Sequence, residues 1–454
     1  MKRILHVTLG NPEYKLGGIN RYCKELMNCQ KADGYQPLLL YPGTFFHSRH
    51  PQIFSRKENE FEINDALPVP ITYGISAPER YMVASDIERY AKWLEHIKPQ
   101  IIHVHSFQGI HREFFIAARN KQIPILYTTH DYFPFCVKGV LFDRLGTVCD
   151  GRAPKKCALC NRNMGLSVNI QRVIQSDLYN LWKNLGLVKK LKKNKTQDND
   201  FNNEDMAEKE SLKVDNDTVR CYENLDKYYL EILSCVSLIH CNSQLTYNCY
   251  RKMYPNANYV ILPITHSELH NEVHQRVNNE VLNISYMGGK TKHKGYHILM
   301  DAFDKLEDEE DSWRLWLYGG EYADRRSSAS YMYRGVFTEK EEKEVWAHTD
   351  LLIVPSQCPE TFGFVVLEAL VKGIPVLCSD LVGSQDLLKE IDSSLIFRHD
   401  DSVELEIKIR QFLDPNYYSH MQQKILDAHI QSNMRLHSRK IIELYRGLLK
   451  ENDD

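Results

Sequence analysis

Short apolar, β-branched runs alternate with stretches of helical periodicity along this chain. Arg3–Leu9 reads as a buried strand, and Gly18–Gln30 as a helix with Ile19, Tyr22, Cys23 and Leu26 on one face. Pro37–Tyr41, Ile101–His105 and Ile125–Thr129 read as strands, with a helix from about Gly109 before the last. After an interruption the rhythm resumes: a helix near Cys221–Cys235, a strand Ser237–Cys241, a helix Gln244–Tyr254 and a strand Tyr259–Leu262. It then restarts with the strand Asn283–Met287, the helix Tyr296–Leu306 and the strands Trp313–Tyr318, Met332–Val336 and Leu351–Val354. A helix over about Gly363–Lys372 leads into the strand Pro375–Cys378, and His437–Lys450 reads as a last helix.

Strands alternating with helices predict parallel, doubly wound sheets covered on both faces. The restart predicts two such Rossmann-like α/β domains, 1–263 and 283–425, with a helical segment 426–454 packing back across them. Each open sheet offers a ligand crevice at the carboxyl ends of its strands, so two facing domains make a cleft. The length of 454 residues accommodates this division.

Composition changes the picture only locally. Lys+Arg 57 against Asp+Glu 60 gives a net charge of −3, which carries no global nucleic-acid signal. The opening run Ile4–Val7 is too short for a signal-peptide core, and no run of about 20 apolar residues predicts a membrane span. Twelve cysteines in such a chain imply reduced thiols and a cytoplasmic setting. The interruption has a Cys-rich loop, 136–160, and a second part over about 165–220. The second part runs from lysines (Lys183, Lys189, Lys190, Lys192, Lys193, Lys195) into an acidic stretch, Asp198–Asp217, expected to be disordered. Leu178–Leu191, with Trp182 among the lysines, reads either as an interfacial helix meeting an anionic membrane or as a helix packed on its own domain.

Cys136, Cys149, Cys157 and Cys160 fall within 25 residues, and Cys157-Ala158-Leu159-Cys160 has the gap that lets two thiolates hold one tetrahedral metal. A closed structural zinc site and a reduced loop of unrelated thiols are both open readings. His103 and His105 share a strand face, where satisfied histidines are favoured over a metal pair. Gly289-Lys290-Thr291 imitates the end of a P-loop, but Ile284 stands where that motif needs glycine. Asp198-Asn199-Asp200 and Asp215-Asn216-Asp217 match an acidic metal motif but lie in the acidic stretch and carry little weight.

The most specific pattern follows the strand Leu351–Val354: Pro355-Ser356-Gln357-Cys358-Pro359-Glu360-Thr361-Phe362-Gly363-Phe364, then Val365-Val366-Leu367-Glu368-Ala369-Leu370. Glu368 sits in an apolar run, where an unpaired carboxylate is expensive. A ribose or hexose would satisfy Glu360 and Glu368 as acceptors, and N–H groups around Phe362-Gly363-Phe364 at the helix start would meet a phosphate. By spacing alone, a first-turn acid plus an internal Glu paired with a core Arg or Lys accounts for the pattern equally.

Taken together, Pro355-Ser356, Glu360-Thr361-Phe362-Gly363, Glu368-Ala369 and Gly373-Ile374-Pro375-Val376 resemble the nucleotide-binding signature of family 4 retaining glycosyltransferases of the GT-B fold. Gly17-Gly18, His103-Val104-His105, Thr129-His130-Asp131, Gly288, Lys294-Gly295, Val382-Gly383 and Leu395-Ile396-Phe397 follow in the family's order, covering about 1–160 and 220–425. The resemblance implies transfer of a hexose from a nucleotide diphosphate sugar to a hydroxyl of a glycan or lipid-linked acceptor. Retention of configuration, no catalytic metal, and a role in bacterial cell-surface polysaccharide synthesis at the inner face of the plasma membrane are implied with it. Glu360 would hold sugar hydroxyls, Glu368 the ribose, Lys294 the diphosphate and His130 the sugar. Gly17, Gly18, Gly288, Phe362, Gly363 and Phe364 would line the donor site. One departure stands out: the family commonly has arginine where this chain has Gly289, and Lys290 or Lys292 would have to supply that charge without the guanidinium fork. The competing readings are a non-catalytic GT-B partner subunit and a sugar-nucleotide epimerase of similar fold.

Overall fold

The computed structural model describes residues 2–450 except 14–16, 46–50, 163–166, 177–178, 180–213, 268–272, 275, 277–279, 321, 323–325, 327, 339 and 431. Its first sheet contains β1 (Arg3–Val7), β2 (Gln36–Pro42), β3 (Gln52–Lys57), β4 (Glu60–Asn64), β5 (Ile101–Val104), β6 (Ile125–Thr128), β7 (Leu238–Cys241) and β8 (Tyr259–Ile261). The spatial order is β3-β4-β2-β1-β5-β6-β7-β8, parallel except for the β3/β4 pair. The second sheet contains β9 (Leu282–Tyr286), β10 (Trp313–Tyr318), β11 (Tyr331–Gly335), β12 (Leu351–Val354), β13 (Val376–Ser379) and β14 (Ile396–Phe397). Its order is β11-β10-β9-β12-β13-β14, parallel throughout. The central strands β5, β6, β12 and β13 are buried at every position, as strands covered by helices on both faces must be. The chain therefore has the two doubly wound domains of the GT-B architecture.

Strand order reverses at β1/β5 and at β9/β12, and each reversal opens a crevice at the strands' carboxyl ends. One apolar cluster joins the domains. It combines Ile4, Tyr22 and Leu26 of the first with Phe362, Leu367 and Val371 of the second. Ile441, Ile442 and Tyr445, from the helix Met434–Lys450, complete it. That helix starts three residues earlier than its periodicity predicts and lies on the helix Gly18–Ala32, with Arg435 reaching Asp33 at 3.2 Å.

One element escaped the sequence pattern, and one expectation needs correction. The β3/β4 hairpin was not legible as strand, because β3 is a polar edge: Ser55, Arg56 and Lys57 are exposed and no alternation marks a buried face. The acidic run is ordered at its end. Asp215 caps the helix Asn216–Leu233, its carboxylate accepting from the Thr218 N–H at 2.7 Å, and Asp217 lies in the first turn, where negative charge is favoured. The earlier part of that run and the lysines Lys183–Lys195 lie outside the described residues.

Candidate functional site

Glu360 and Lys294 arrive from the two loops that flank the β9/β12 reversal. The loop after β9 folds back through Gly289, whose φ is +67°, and Gly295, whose φ is +75°. At Gly295 a Cβ would sit 1.7 Å from the Pro355 carbonyl oxygen, so only glycine lets the two loops touch. Lys294, immediately before it, thereby extends to Glu360 Oε1 at 2.9 Å. Glu360 is itself placed by backbone bonds, its N–H to the Leu381 carbonyl at 2.8 Å and its carbonyl accepting from Gly383 N–H at 3.0 Å. Ser356 donates to the same Oε1.

Burial pushes the Glu360 carboxyl up, but the Lys294 charge and the Ser356 hydrogen bond outweigh it, and the net shift is downward. Burial likewise opposes the charge on Lys294, and Glu360 more than restores it, raising its pKa. Both groups are therefore ionised at neutral pH. The Lys294 side chain keeps 36% exposure and that of Glu360 15%, so the pair faces an opening rather than a sealed core.

From Glu360 the chain turns into the helix Phe364–Val371, whose first N–H groups have no partner within the helix. The Phe364 ring packs against Gly18, where an added Cβ would lie 3.6 Å from it. The glycine pair after β1 and the start of the signature helix therefore face each other across the cleft. Glu368, one helical turn on, meets no core Arg or Lys among the described residues. Its Oε1 takes a hydrogen bond from His266 Nε2 at 2.9 Å, and the His266 ring stacks edge-on against Phe364 at 5.3 Å.

Gly289 now has a local reason. Besides its left-handed φ, a Cβ there would stand 2.9 Å from the Gly319 carbonyl oxygen, so this loop excludes an arginine at that position. Gly288 is similarly crowded by the Tyr286 hydroxyl. Lys292 leans away, donating to the Leu145 carbonyl at 3.3 Å in the Cys-rich loop.

The signature loop is docked on the first domain. The Thr361 carbonyl accepts from Ser243 Oγ and Thr246 Oγ1, both at 2.9 Å, and Thr361 Oγ1 donates to the His130 carbonyl at 3.0 Å. Asp386 accepts from the Gln244 N–H at 2.7 Å. Thr361 and His130 were named in the sequence pattern, whereas Ser243, Thr246, Gln244 and Asp386 were given no role there. Ser243 carries the one available signal, since it stands two residues after β7 and caps the helix Gln244–Met253. His130 and Asp131 follow β6 at the same rim. Burial lowers His130 to about 3 and raises Asp131 to about 6, although Asp131 accepts from the Phe133 N–H at 2.9 Å and from Gln108 at 3.3 Å. Asp131 is a half-buried acid beside the cleft that sequence reasoning did not assign.

Cys136, Cys149, Cys157 and Cys160 are free thiols lining one small cavity of about 30 Å³, beneath Tyr222 and Tyr229. Burial pushes Cys149 up to about 12 and Cys157 to about 11. Their soft donor set suits zinc, but no three of these sulfurs lie within 4.8 Å of one another, so the four would have to draw together around an ion. Among the described residues, however, the trio whose ligand atoms all fall within 4.8 Å is instead His6, Cys23 and His105. There His6 Nδ1 and His105 Nε2 are already hydrogen-bonded to each other at 3.0 Å.

Comparison with known proteins agrees with this geometry. The family described as Glycosyltransferase Family 4 matches residues 16–152, and Glycosyl transferases group 1 matches 280–415. Among solved structures, a sucrose-phosphate synthase from Thermosynechococcus elongatus superimposes with a TM-score of 0.56 at 14% identity, over 99% of this chain and 100% of that one. Anabaena Alr3699/HepE in complex with UDP-glucose does so at 0.54 and 13%, over 98% and 100%. A trehalose-6-phosphate protein from E. coli bound with UDP-2-fluoro glucose does so at 0.54 and 11%, over 98% and 99%. At such identities these likenesses establish the fold. An uncharacterized 41.2 kDa protein in the cps region of Klebsiella pneumoniae is 25% identical over 129 residues, 28% of this chain and 35% of that relative's length. The two profile matches together span more than half of the sequence, one on each facing sheet, and the chain belongs to the family 4, group 1 glycosyltransferases of the GT-B fold.

Proposed function

We propose that this glycosyltransferase moves a hexose from a nucleotide diphosphate sugar to an acceptor hydroxyl with retention of configuration, in the assembly of a bacterial cell-surface polysaccharide. The observation that carries the reading is the Glu360–Lys294 pair at the β9/β12 crevice, beside a helix start without a side-chain cap that faces Gly18. Lys294 and the N–H groups at Gly363 and Phe364 would take the diphosphate, whose charge grows as the glycosidic bond breaks. Glu360 Oε1 already carries Ser356 and Lys294, leaving Oε2 for sugar hydroxyls. Glu368 would hold the ribose, with His266 orienting its carboxylate. In the step itself the acceptor oxygen bonds to the anomeric carbon on the face that the diphosphate leaves, and its proton passes to a diphosphate oxygen. No protein nucleophile or metal takes part.

UDP-glucose and UDP-2-fluoro glucose in two structural relatives support a nucleotide-sugar donor. The cps-region relative supports a capsule-like product. No helix among the described residues is long and apolar enough to cross a membrane. A lipid-linked acceptor would be met peripherally in this reading, and the lysines Lys183–Lys195 are the segment proposed to touch anionic lipid at the cytoplasmic face. Cys136, Cys149, Cys157 and Cys160 would hold a structural zinc that staples the loop beside the cleft and takes no part in transfer. With glycine required by the backbone at Gly289, Lys290 or Lys292 would have to supply the charge that the family's arginine carries.

The test is a thermal-shift screen of UDP-, GDP- and ADP-sugars. A true donor at about 100 times its Kd stabilises the fold by ~2.7 kcal/mol. Conversion of radiolabelled donor without acceptor would replace this reading with an epimerase. No shift with any nucleotide at millimolar concentration would replace it with a non-catalytic subunit.

A further inference from the structure

Behind His130, four further imidazoles and three other side chains continue one unbroken hydrogen-bonded chain through the first domain. His130 Nε2 meets His105 Nδ1 at 3.3 Å, and His105 Nε2 meets His6 Nδ1 at 3.0 Å. His6 Nε2 meets Gln30 Oε1 at 2.8 Å, and Gln30 Nε2 meets the Tyr445 hydroxyl at 3.2 Å. Tyr445 meets His103 Nδ1 at 2.6 Å, and His103 Nε2 meets Thr128 Oγ1 at 2.7 Å. Thr128 Oγ1 meets His240 Nδ1 at 2.9 Å, and His240 Nε2 ends on the Leu262 carbonyl at 2.7 Å, where the chain leaves the first domain.

A carbonyl oxygen only accepts, so the Leu262 end sets the direction of every bond. His240 must carry its proton on Nε2, and Thr128 must then donate to His240 Nδ1. Thr128 has one proton, so it accepts from His103 Nε2, and His103 Nδ1 accepts from Tyr445. The Tyr445 oxygen accepts from the Gln30 amide nitrogen, which turns Gln30 Oε1 to His6 Nε2–H. His6 Nδ1 accepts from His105 Nε2–H, and His105 Nδ1 accepts from His130 Nε2–H. Every contact receives one proton. Reversing the chain would set two acceptors 2.7 Å apart at Leu262. Burial holds His6 and His240 near 4 and drives His103 and His105 well below their ordinary range, so the imidazoles are neutral and the argument by tautomer applies. The Tyr22 ring stands edge-on to His130 at 5.0 Å and to His105 at 5.7 Å, and its hydroxyl bonds His437 at 2.7 Å, which hinders the rings from turning over.

We propose that this relay fixes His130 as its Nε2–H tautomer and leaves Nδ1, on the half-buried ring at the cleft, as a hydrogen-bond acceptor for a hydroxyl of the transferred sugar. The sugar contact rests on the glycosyltransferase reading above; the tautomer does not. Gln30, Tyr445, His103 and His240 are then positioning residues that act on the sugar site without touching it. His6 and His105, which with Cys23 bring three ligand atoms together, belong to this relay, and the proton between them occupies the place a cation would need.

The test is long-range proton–nitrogen correlation NMR on the full chain labelled with 15N-histidine, near pH 7.5 and without ligand, with His130→Gln used only to assign the signal. A protonated Nε2 and bare Nδ1 on His130 support the relay; a proton on Nδ1, or a charged ring, overturns it. Tyr445→Phe removes the hydroxyl that joins Gln30 to His103, and should give His130 a mixture of tautomers. An even mixture halves the competent fraction and weakens donor affinity about twofold. An unchanged His130 signal in folded Tyr445→Phe protein overturns the coupling, and if that variant does not fold the wild-type measurement decides alone. Absence of transferase activity alongside the expected tautomer would sink the glycosyltransferase reading and leave the relay standing.

Discussion

Lowering the pH from 7.5 to 5.5 should remove most of this protein's stability. His6, His103, His105, His111, His240 and His437 are each at most 5% exposed, and burial depresses all of them, His6, His111 and His240 to about 4 and His437 to about 3. In the unfolded chain each titrates near 6.5. The folded pKa lies below the unfolded one, so these groups leave stability intact above about pH 6.5. They withdraw it as the pH falls toward 4, because the unfolded state binds the protons first. At pH 5.5 each favours unfolding by ~1.4 kcal/mol, and the six together by ~8 kcal/mol. His130 is left out because its ring is partly exposed. Two acids work the other way: Asp131 and Asp226, raised by burial to about 6, gain protons in the folded state and return ~1 kcal/mol each. The net loss of roughly 6–7 kcal/mol is comparable to the whole stability of an ordinary domain. Urea denaturation followed by far-UV circular dichroism at pH 7.5, 6.5 and 5.5 measures it directly. Unfolding free energies agreeing within ~2 kcal/mol across that range would show that these histidines are not held neutral in a dry interior.

Three further outcomes are expected. Glu360→Gln should lower turnover at least tenfold, ~1.4 kcal/mol in barrier, while the protein stays folded; wild-type kinetics would remove Glu360 from the site. Gly289→Arg should lower the melting temperature without tightening donor binding, since a side chain at that positive φ costs ~1–2 kcal/mol before its contact with Gly319 is relieved; a stable variant with tighter binding would mean the loop is not built as described. Protein purified without chelator should contain about one zinc per chain by elemental analysis, and Cys157→Ser should lose both the metal and thermal stability while sparing transfer in the folded fraction; metal-free, fully reduced wild-type protein would leave the cavity as a thiol-lined void.

The sequence by itself determined the two α/β domains and the segment that carries the chemistry. Continuous apolar runs such as Leu351–Val354 are what a sheet buried on both faces requires, and a strand that gives way to the loop Pro355–Gly363 puts Glu360 at the crevice whatever packs around it. Those are local properties, fixed by periodicity and by glycine. The helix Ile87–Ile97 was equally readable from Asp86 as its cap and the apolar face Tyr90, Ala91, Leu94 and Ile97, although its periodicity was passed over.

Partnership was decided only in three dimensions. His266 and Glu368 are 102 residues apart, Thr361 and Ser243 118, and Tyr445 and His103 342. No spacing rule links residues so distant, because each pair exists only once two sheets and the last helix have closed on one another. The same holds for Gly289, which in the sequence looks like a lost arginine and in the fold is a point where two backbones touch. It holds most of all for the histidines. Scattered along a sequence they are separate titratable groups. Lined up on adjacent strands beneath two helices they lose water, stay neutral and pass one direction of hydrogen bonding from an interdomain carbonyl to the rim of the cleft.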